Sequence, residues 1–376
     1  MDQQGKVKVG VDILDLRYAK TGQKTFLEEV YKQFLVSEHP GVSFVYLDFP
    51  LPKFSRKYKL GIIFNHLALQ FWKQLVLPLK AYFNRVDILF CSDYFAPNIR
   101  LKFKNVQVLH DAFFYEYPEH YHGLWMHLFK LLAVPAAKNS EYIITPTKYS
   151  RNSISKHFTI PLEKIIPIYE GPKCFEAIKT ESPTWIPPNV PYILNVGVWE
   201  KRKNIPRLLA AFKALLANIN QPIKLVLVGE GSKKMNSDDS AAIIQAITDL
   251  QLADYVICTG YLPDHSLKSA YEQALLFIFP SYNEGFGIPI LEAFAAEIPV
   301  LVANNSCLPE VGANAVISFD PFSIADMMEK MKIVIENTDL QKDLIQKGKE
   351  RLLDFSWEQA SKEMIEVFIM AAKHGK

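Results

Sequence analysis

The 376-residue sequence predicts an α/β protein with two parallel-sheet domains. Short apolar runs with the composition of buried strands alternate with stretches whose apolar residues recur at helical spacing, as in βαβ units. Length also indicates two domains, since a domain commonly contains about 100–200 residues. A proline-rich linker is predicted between them, because proline at high density excludes regular structure. The predicted order is domain 1–172, linker 173–190, domain 191–355 and a C-terminal helix at 356–376.

The strands follow one another in both halves with helices between them. Those of the first domain are predicted at 6–16, 42–47, 86–90, 106–109, 141–145 and 164–169. Those of the second are predicted at 192–196, 224–228, 255–258, 275–279 and 300–303. Ligands of such sheets bind beyond the carboxyl ends of the strands, so the residues after each strand are the first candidates for function.

Composition excludes several classes of protein. A net charge of +2 predicts no bulk affinity for nucleic acid. The four cysteines have no metal or redox spacing and are expected to be reduced thiols. The N-terminus is too polar for a signal peptide, and no apolar run approaches the ~20 residues of a membrane span. We therefore expect a cytoplasmic protein.

The stretch Ser281–Glu297 combines a glycine loop with a helix start, directly after a predicted buried strand. Gly285 and Gly287 let the backbone approach a ligand, and the free N–H groups of the helix favour an anion. Two carboxylates, Glu284 and Glu292, flank this anion site and suit hydroxyl groups better than phosphate. A sugar nucleotide, with central phosphates and a polyhydroxylated ring on either side, would satisfy all of these groups. The alternative is an ordinary βα turn in which Glu292 only complements the helix dipole.

Two further loops of the second domain carry candidate residues. Arg202 and Lys203 lie between the strand 192–196 and a helix, where cations can clamp a diphosphate; a solvated basic turn is the alternative. Gly229 begins a Gly-Glu-Gly-Ser loop that is similar to a dinucleotide fingerprint. Position 234 is lysine where the third glycine should fall, so the sequence disfavours a dehydrogenase.

In the first domain, Gly22 and His110 are candidates because each follows a predicted strand. Asp111 is the candidate orienting partner of His110. A histidine at a strand end is more often a packed, hydrogen-bonded structural group, so both interpretations stay open. His120 and His122 are predicted on a solvated loop, and their spacing gives only a weak metal signal.

The segment 53–104 is strongly basic, with ten lysines and arginines against two acids. Within it, 60–83 is rich in Leu, Ile, Phe and Trp, and only Lys73 and Lys80 are charged. A basic amphipathic stretch of this kind can lie on an anionic membrane surface. An outer helix with a solvated basic face is the alternative interpretation.

Together these motifs resemble the retaining glycosyltransferases of family 4, which have the GT-B fold. The resemblance is tight from about 192 to 357 and looser before that. It implies two Rossmann-like parallel-sheet domains that face a central cleft, with the C-terminal helix crossing back to the first domain. It also implies that the first domain binds the acceptor, for which the basic segment 53–104 would suit a glycan or a lipid-linked molecule displayed at a membrane.

The resemblance assigns roles to individual residues. Catalytic roles fall on Glu284, His110, Lys203 and Arg202, and donor binding falls on Gly22, Gly229, Tyr261, Leu262, Gly285, Phe286, Gly287, Ile288 and Glu292. Glu284 would contact the donor sugar, His110 would face it, and Glu292 would bind the ribose. Tyr261 is an equally good candidate for plain packing. Many relatives carry an arginine where this chain has Val198, so one phosphate contact is expected to be missing.

The implied reaction transfers a hexose from a nucleoside-diphosphate sugar to an acceptor hydroxyl with retention, in cell-surface polysaccharide or glycolipid synthesis. The departing diphosphate would accept the proton of the acceptor, so no protein base is expected. No metal or other cofactor is expected, because the chain has no Asp-x-Asp site. The Arg-Lys-Asn loop and the His-Asp pair favour GDP-mannose as the donor, with UDP-hexoses next. A GT-B sugar-nucleotide epimerase and a non-catalytic, glycan-binding partner subunit are the alternatives.

Overall fold

The computed structural model describes residues 5–17, 21–36, 39–51, 59–99, 101–121, 123–173, 190–231 and 236–374. Most of the predicted linker, 174–189, therefore lies outside the described residues. The chain forms two compact units. The first comprises Met1–Pro118, His122–Glu170 and Trp357–Lys376, and the second comprises Glu119–Tyr121 and Gly171–Ser356.

The first unit is built on a parallel sheet. Its strands are β1 (Val7–Asp12), β2 (Val42–Leu47), β3 (Ile88–Cys91), β4 (Lys104–Val108), β5 (Tyr142–Thr145) and β6 (Ile165–Pro167). Their order is β2-β1-β3-β4-β5-β6. The chain winds outward from β1 on both sides, so the topological switch point lies between β1 and β3.

The helices of this unit are α1 (Thr21–Val36), α2 (Lys59–Phe71), α3 (Leu77–Phe83), α4 (Phe113–Glu116), α5 (Gly123–Leu128), α6 (Val134–Asn139) and α7 (Lys148–Phe158). Two π-helical segments, Trp72–Val76 and Phe129–Ala133, join α2 to α3 and α5 to α6. Residues 59–83 are therefore one helical run. The first strand is shorter than predicted, because Asp12 Oδ1 accepts a hydrogen bond from the N–H of Leu14 (3.1 Å) and a 3-10 turn, Leu14–Arg17, follows.

Lys73 is fully buried, although the sequence analysis counted it among the charges of the basic segment. Its Nζ lies 2.8 Å from Asp12 Oδ2, 2.7 Å from Asp15 Oδ2 and 3.0 Å from Asp93 Oδ1. A buried ammonium group requires such partners, since a charge removed from water is costly unless paired. Because these aspartates end or follow β1 and β3, the Lys73 cluster, which is Lys73 with Asp12, Asp15 and Asp93, fixes the run 59–83 at the switch point.

The second unit has the same construction. Its strands are β7 (Tyr192–Val196), β8 (Lys224–Val228), β9 (Val256–Gly260), β10 (Leu276–Phe279), β11 (Val300–Ala303) and β12 (Val316–Phe319). All are parallel, in the order β12-β11-β10-β7-β8-β9. Its switch point lies between β7 and β10. The sequence analysis missed β12, a four-residue strand that pairs with β11 at the edge.

The remaining helices are α8 (Ile205–Leu216), α9 (Ser240–Asp249), α10 (Asp264–Glu272), α11 (Ile288–Ala295), α12 (Leu308–Gly312), α13 (Ile324–Glu336), α14 (Thr338–Leu352) and α15 (Trp357–Lys373). As predicted, the C-terminal helix returns to the first unit, where Phe368 packs on Phe34 and Phe90 with ring centroids 6.1 and 5.2 Å away. None of the helices in the described part of the chain is long and apolar enough to cross a membrane.

Candidate active site

Two loops meet at the switch point of the second sheet, because β7 and β10 are parallel neighbours. The loop after β7 contains a 3-10 turn, Lys201–Lys203, and the loop after β10 ends at Gly287. The N–H of Tyr282 donates to the carbonyl oxygen of Arg202 over 2.7 Å and ties the loops together. The topology thus brings residues some eighty positions apart into one site.

Glu284 lies between the two predicted cations of this site. Its Oε1 is 2.6 Å from Lys203 Nζ, and its Oε2 is 2.7 Å from Arg202 Nη1. Glu284 and Lys203 are only 7% and 9% exposed, so solvent screens their interaction weakly. The structure therefore places Arg202, Lys203 and Glu284 in a single charged cluster beside the glycine loop.

The protonation of this cluster follows from its contacts. Burial alone would raise the pKa of Glu284, but the charges of Arg202 and Lys203 outweigh burial and lower that pKa to about 2. Burial lowers the pKa of Lys203, and the charge of Glu284 opposes this shift. Glu284 is therefore ionised at neutral pH and can accept hydrogen bonds but not donate one.

Glu200 belongs to the same cluster and was missed by the sequence analysis. Its Oε2 accepts a hydrogen bond from Arg202 Nε over 2.9 Å. The acids Glu200 and Glu284 together balance the charges of Arg202 and Lys203. The Glu-Lys-Arg-Lys order at 200–203 could have indicated Glu200, since it places an acid beside the two cations proposed to clamp a diphosphate. A diphosphate entering this site meets paired cations and has to compete with a carboxylate for them.

Asn204 gives the loop after β7 its shape. Its φ of 58° is in the left-handed region, which asparagine tolerates better than most residues. The buried side chain donates through Nδ2 to the carbonyl oxygens of Pro280 (3.1 Å) and Pro321 (2.9 Å). One side chain thus fixes the loops after β10 and β12 relative to Arg202 and Lys203.

The glycine loop after β10 ends at the start of α11, as the sequence predicts. Gly287 has a φ of 105°, and a Cβ there would lie 3.3 Å from the side chains of Ile290 and Leu308. Gly285 and Ile288 are half-buried beside it. The side chain of Phe286 is buried, and its ring lies 5.8 Å from that of Phe355, so binding of the donor by the backbone of Phe286 stays a prediction. Its side chain therefore supports the loop from the core.

Glu292 lies inside α11 with a partner of its own. Its Oε2 accepts a hydrogen bond from the hydroxyl of Tyr271, on α10, over 2.8 Å. Burial raises the pKa of Glu292, and this hydrogen bond opposes the rise. Burial also raises the pKa of Tyr271 well above its usual value, so the phenol stays a donor. The binding of a ribose by Glu292 stays a prediction.

The other donor-binding candidates follow β8 and β9. Gly229 has a φ of 122°, and a Cβ there would lie 2.1 Å from the carbonyl oxygen of Gly197. Glycine is therefore required where the ends of two neighbouring strands touch, whether or not a ligand binds. Tyr261 is 74% exposed, which excludes the interpretation that it is a packing residue. Leu262 beside it is half-buried.

His110, in the first unit, has a different partner from the one predicted. Its Nδ1 lies 3.3 Å from Glu170 Oε1, and its ring packs edge-on against Phe26 at 4.8 Å. The Oδ1 of Asp111, its predicted orienting partner, accepts from the hydroxyl of Tyr94 (2.7 Å) and from the N–H of Phe113 (3.0 Å). Glu170 thus takes the place expected for Asp111.

Two further candidates in the N-terminal half of the chain, Gly22 and His120, lie in helical turns. Gly22, a candidate because it follows the first predicted strand, is an exposed residue in the first turn of α1. His120 ends a 3-10 turn, Pro118–His120, and His122 lies outside the described residues. Within the described ranges, no group of three or more His, Cys, Asp or Glu side chains is arranged to hold a metal ion.

Two parallel α/β sheets, one with a glycine loop and a carboxylate–cation cluster at its switch point, define a glycosyltransferase of the GT-B class. Residues 179–351, slightly less than half of the chain, match the family model of glycosyl transferases group 1. The narrower assignment to family 4 stays a prediction.

Comparison with individual proteins agrees with this class. The chain is 26% identical to O-antigen chain mannosyltransferase B of Escherichia coli over 288 residues, 73% of each chain. Sucrose-phosphate synthase from Thermosynechococcus elongatus has a TM-score of 0.72 at 15% identity, over 97% of this chain and 99% of that one. The Anabaena protein HepE, solved in complex with UDP, has a TM-score of 0.67 at 16% identity, over 97% of this chain and all of that one (100%). At such identities the solved structures show the fold alone.

Proposed function

We propose that the protein transfers a hexose from a nucleoside-diphosphate sugar to a hydroxyl of a glycan or lipid-linked acceptor, with retention, in cell-surface polysaccharide synthesis. The observation that carries the proposal is the position of Glu284, held between Arg202 and Lys203 at the switch point. Ligands of doubly wound sheets bind at this point. Arg202 and Lys203, which would bind the diphosphate, therefore lie next to Glu284, which would bind the sugar hydroxyls.

The contacts suggest how the donor would use this cluster. Glu284 contacts both of the cations that would hold the diphosphate. An arriving diphosphate would take over Arg202 and Lys203 and release Glu284 to accept hydrogen bonds from the sugar hydroxyls. As the glycosidic bond breaks, the negative charge on the leaving diphosphate grows and the same cations stabilise it, an effect typically of 10²–10³ in rate for one preorganised donor group.

The remaining steps of the proposal need no protein base and no metal. The acceptor hydroxyl would attack the anomeric carbon from the face that the diphosphate vacates, which gives retention. The leaving diphosphate would accept the proton of that hydroxyl. His110 would face the sugar, with its ring oriented by Glu170 over 3.3 Å. Glu292, whose Oε2 already accepts a hydrogen bond from the hydroxyl of Tyr271, would bind the ribose hydroxyls in the same way.

Mannose is the first candidate for the sugar, with GDP-mannose as donor. The name of the E. coli relative supports mannose, and UDP-hexoses are the next candidates. We place the reaction in the cytoplasm, with the first unit binding the acceptor and the segment 53–104 in peripheral contact with an anionic membrane.

A thermal-shift panel of sugar nucleotides tests the proposal. A donor present at 100 times its dissociation constant adds about 2.7 kcal/mol of stability, which is a clear rise in melting temperature. GDP-mannose and UDP-hexoses are compared with their free sugars, which lack the diphosphate. If no nucleoside-diphosphate sugar raises the melting temperature, the proposed function is wrong.

A further inference from the structure

The glycine loop after β10 is held from one side by the loop that follows β11. Asn305 Nδ2 donates to the carbonyl oxygen of Tyr282 over 2.6 Å. Cys307 Sγ lies 3.1 Å from the carbonyl oxygens of both Glu284 and Phe286, so the thiol can donate its proton to either one. Carbonyl groups at three alternate positions of the glycine loop therefore face the same neighbouring loop.

Cys307 contacts the glycine loop from inside the second unit. Its side chain is fully buried and forms no disulfide. Burial raises the pKa of the thiol well above its usual value, so the group stays protonated and can donate. A buried donor that lost its carbonyl partners would be left unsatisfied, which costs free energy. The contacts with Glu284 and Phe286 therefore restrict the loop to this backbone conformation.

The geometry of the peptide group converts these carbonyl contacts into a direction for the N–H groups of the loop. In a planar trans peptide, the N–H of one residue points opposite to the carbonyl group of the residue before it. The N–H groups of Gly285 and Gly287 therefore point away from Cys307 and from the loop after β11. Glycine at both positions leaves no side chain between these N–H groups and a ligand.

The other side of the glycine loop faces the loop after β7. Strand β10 lies between β11 and β7 in the sheet, so the loop that follows it has these two loops as neighbours. On the β7 side, Tyr282 donates its N–H to the carbonyl oxygen of Arg202 over 2.7 Å. Arg202 Nη1 in turn donates to the carbonyl oxygen of Asn283 over 3.3 Å. The N–H groups that turn away from Cys307 therefore point to the side on which Arg202 lies.

We infer that Asn305 and Cys307 are positioning residues of the proposed donor site. By holding the carbonyl groups of the glycine loop on one side, they aim the N–H groups of Gly285 and Gly287 at the diphosphate. The inference rests on the proposed function and deepens it, because it adds two backbone donors to the two cations of the site. Hydrogen bonds from N–H groups to a phosphate oxygen are charge-assisted and depend on direction. A loop whose peptide groups could rotate would lose part of that attraction.

Magnetic resonance of the full chain, labelled with ¹⁵N-glycine, tests the direction of these N–H groups. Carbonyl-¹³C phenylalanine identifies the amide signal of Gly287, because the pair Phe-Gly occurs once in the sequence. Carbonyl-¹³C glutamate identifies Gly285 in the same way, as the glycine signal whose carbon coupling is lost in Glu284→Gln. We expect GDP or UDP to move both amide protons to lower field, as hydrogen bonds to phosphate oxygen form. Guanosine and uridine, which carry no phosphate, should not move them in this way.

Calorimetric titration of variants with GDP and UDP tests the role of the two side chains. Cys307→Ala removes the thiol and should lower the affinity for both diphosphates about tenfold, the usual effect of losing one hydrogen bond to a charged group. Asn305→Ala should lower it in the same direction, whereas Cys307→Ser keeps a donor and should restore most of the affinity. Cys91→Ala is the matched control, because it removes an equally buried thiol from β3 in the first unit and should bind both diphosphates as the wild type does.

The outcomes distinguish this inference from the proposed function. The inference is overturned if bound GDP or UDP leaves the amide signals of Gly285 and Gly287 in place, if Cys307→Ala binds as tightly as the wild type, or if Cys91→Ala loses as much affinity. The glycine spectrum of Cys307→Ala shows whether that variant is folded, and the experiment on the labelled wild type needs no folded cysteine variant. If diphosphates bind without these effects, only this inference fails. If no nucleoside diphosphate or its sugar binds, the proposed function fails and this inference fails with it.

Discussion

Replacing Glu284 with glutamine separates the two roles proposed for its carboxylate. The two cations lower the pKa of Glu284 from 4.5 to about 2, which corresponds to roughly 3 kcal/mol of net stabilisation at 1.36 kcal/mol per pKa unit. Glutamine keeps the shape but removes the charge, and it leaves Lys203 buried without its closest counter-ion. We therefore expect the free energy of unfolding to fall by about 3 kcal/mol.

The same substitution should have opposite effects on turnover and on product binding. Turnover should fall by about 10²–10³, because the sugar hydroxyls lose a preorganised charged acceptor. A nucleoside diphosphate should bind more tightly, because no carboxylate competes for Arg202 and Lys203. Up to about 3 kcal/mol is available, and each 1.4 kcal/mol is a factor of ten in affinity. Bound diphosphate should also restore much of the lost stability.

Diphosphate binding is measured by calorimetric titration with GDP and UDP, stability by urea unfolding, and turnover by a transfer assay. Glu297→Gln is the matched control, because Glu297 pairs with Lys349 at the surface, with 58% of its side chain exposed. That control should leave all three measurements unchanged. Unchanged transfer by Glu284→Gln would remove Glu284 from the mechanism, and weaker diphosphate binding would refute the exchange of partners at Arg202 and Lys203.

Three further predictions concern stability. Gly229→Ala should destabilise the protein by about 3 kcal/mol or more, because the new Cβ would overlap a carbonyl oxygen. A Cβ at Gly260 would meet nothing within 4 Å, so Gly260→Ala should cost only about 1–2 kcal/mol, through its positive φ. Tyr271→Phe should lower the free energy of unfolding by about 1.5–3 kcal/mol because it removes a donor to a carboxylate; Tyr192→Phe, which removes a donor to a carbonyl, should lower it by about 1 kcal/mol. The folded-state pKa of Glu284 is lowered, so the stability it contributes is present above about pH 4.5 and is lost as the pH falls toward about 2.

Urea unfolding measures each of these changes. Equal losses at Gly229 and Gly260 would contradict the close approach of the two backbones. A smaller loss for Tyr271→Phe than for Tyr192→Phe would show that the contact with Glu292 does not stabilise the fold. To test the pH dependence, unfolding is repeated at lower pH for the wild type and Glu284→Gln. The difference in unfolding free energy between them should be constant above pH 4.5 and shrink below it. A constant difference down to pH 2 would rule out the ion pair as its source.

The sequence predicted the centre of the candidate site because its residues lie next to recognisable strands. Lys203 and Glu284 each follow a short apolar strand, and in a parallel sheet the carboxyl ends of neighbouring strands meet at one edge. The glycine loop that contains Gly285 and Gly287 marked where α11 begins. These features can be predicted from neighbouring residues alone, without knowing which residues far apart in the sequence are in contact.

The errors come from contacts between distant positions. His110 was assigned its neighbour Asp111, whereas the structure places Glu170, sixty residues along the chain, against its ring. Lys73 was counted as a surface charge, because composition does not show which helix face a lysine occupies. The four residues of β12 carry too short a pattern to predict a strand that depends on β11 beside it.

The Lys73 cluster also changes how many protons the folded chain carries. Three carboxylates surround one ammonium group, so full ionisation would leave a net charge of about −2 in the interior, where such an excess is very costly. Burial, with the charge of Asp93, raises the pKa of Asp15 to about 8, so that carboxyl group retains its proton at neutral pH. Folding at neutral pH should therefore be accompanied by the uptake of a proton at Asp15, because the same carboxyl group is ionised in the unfolded chain.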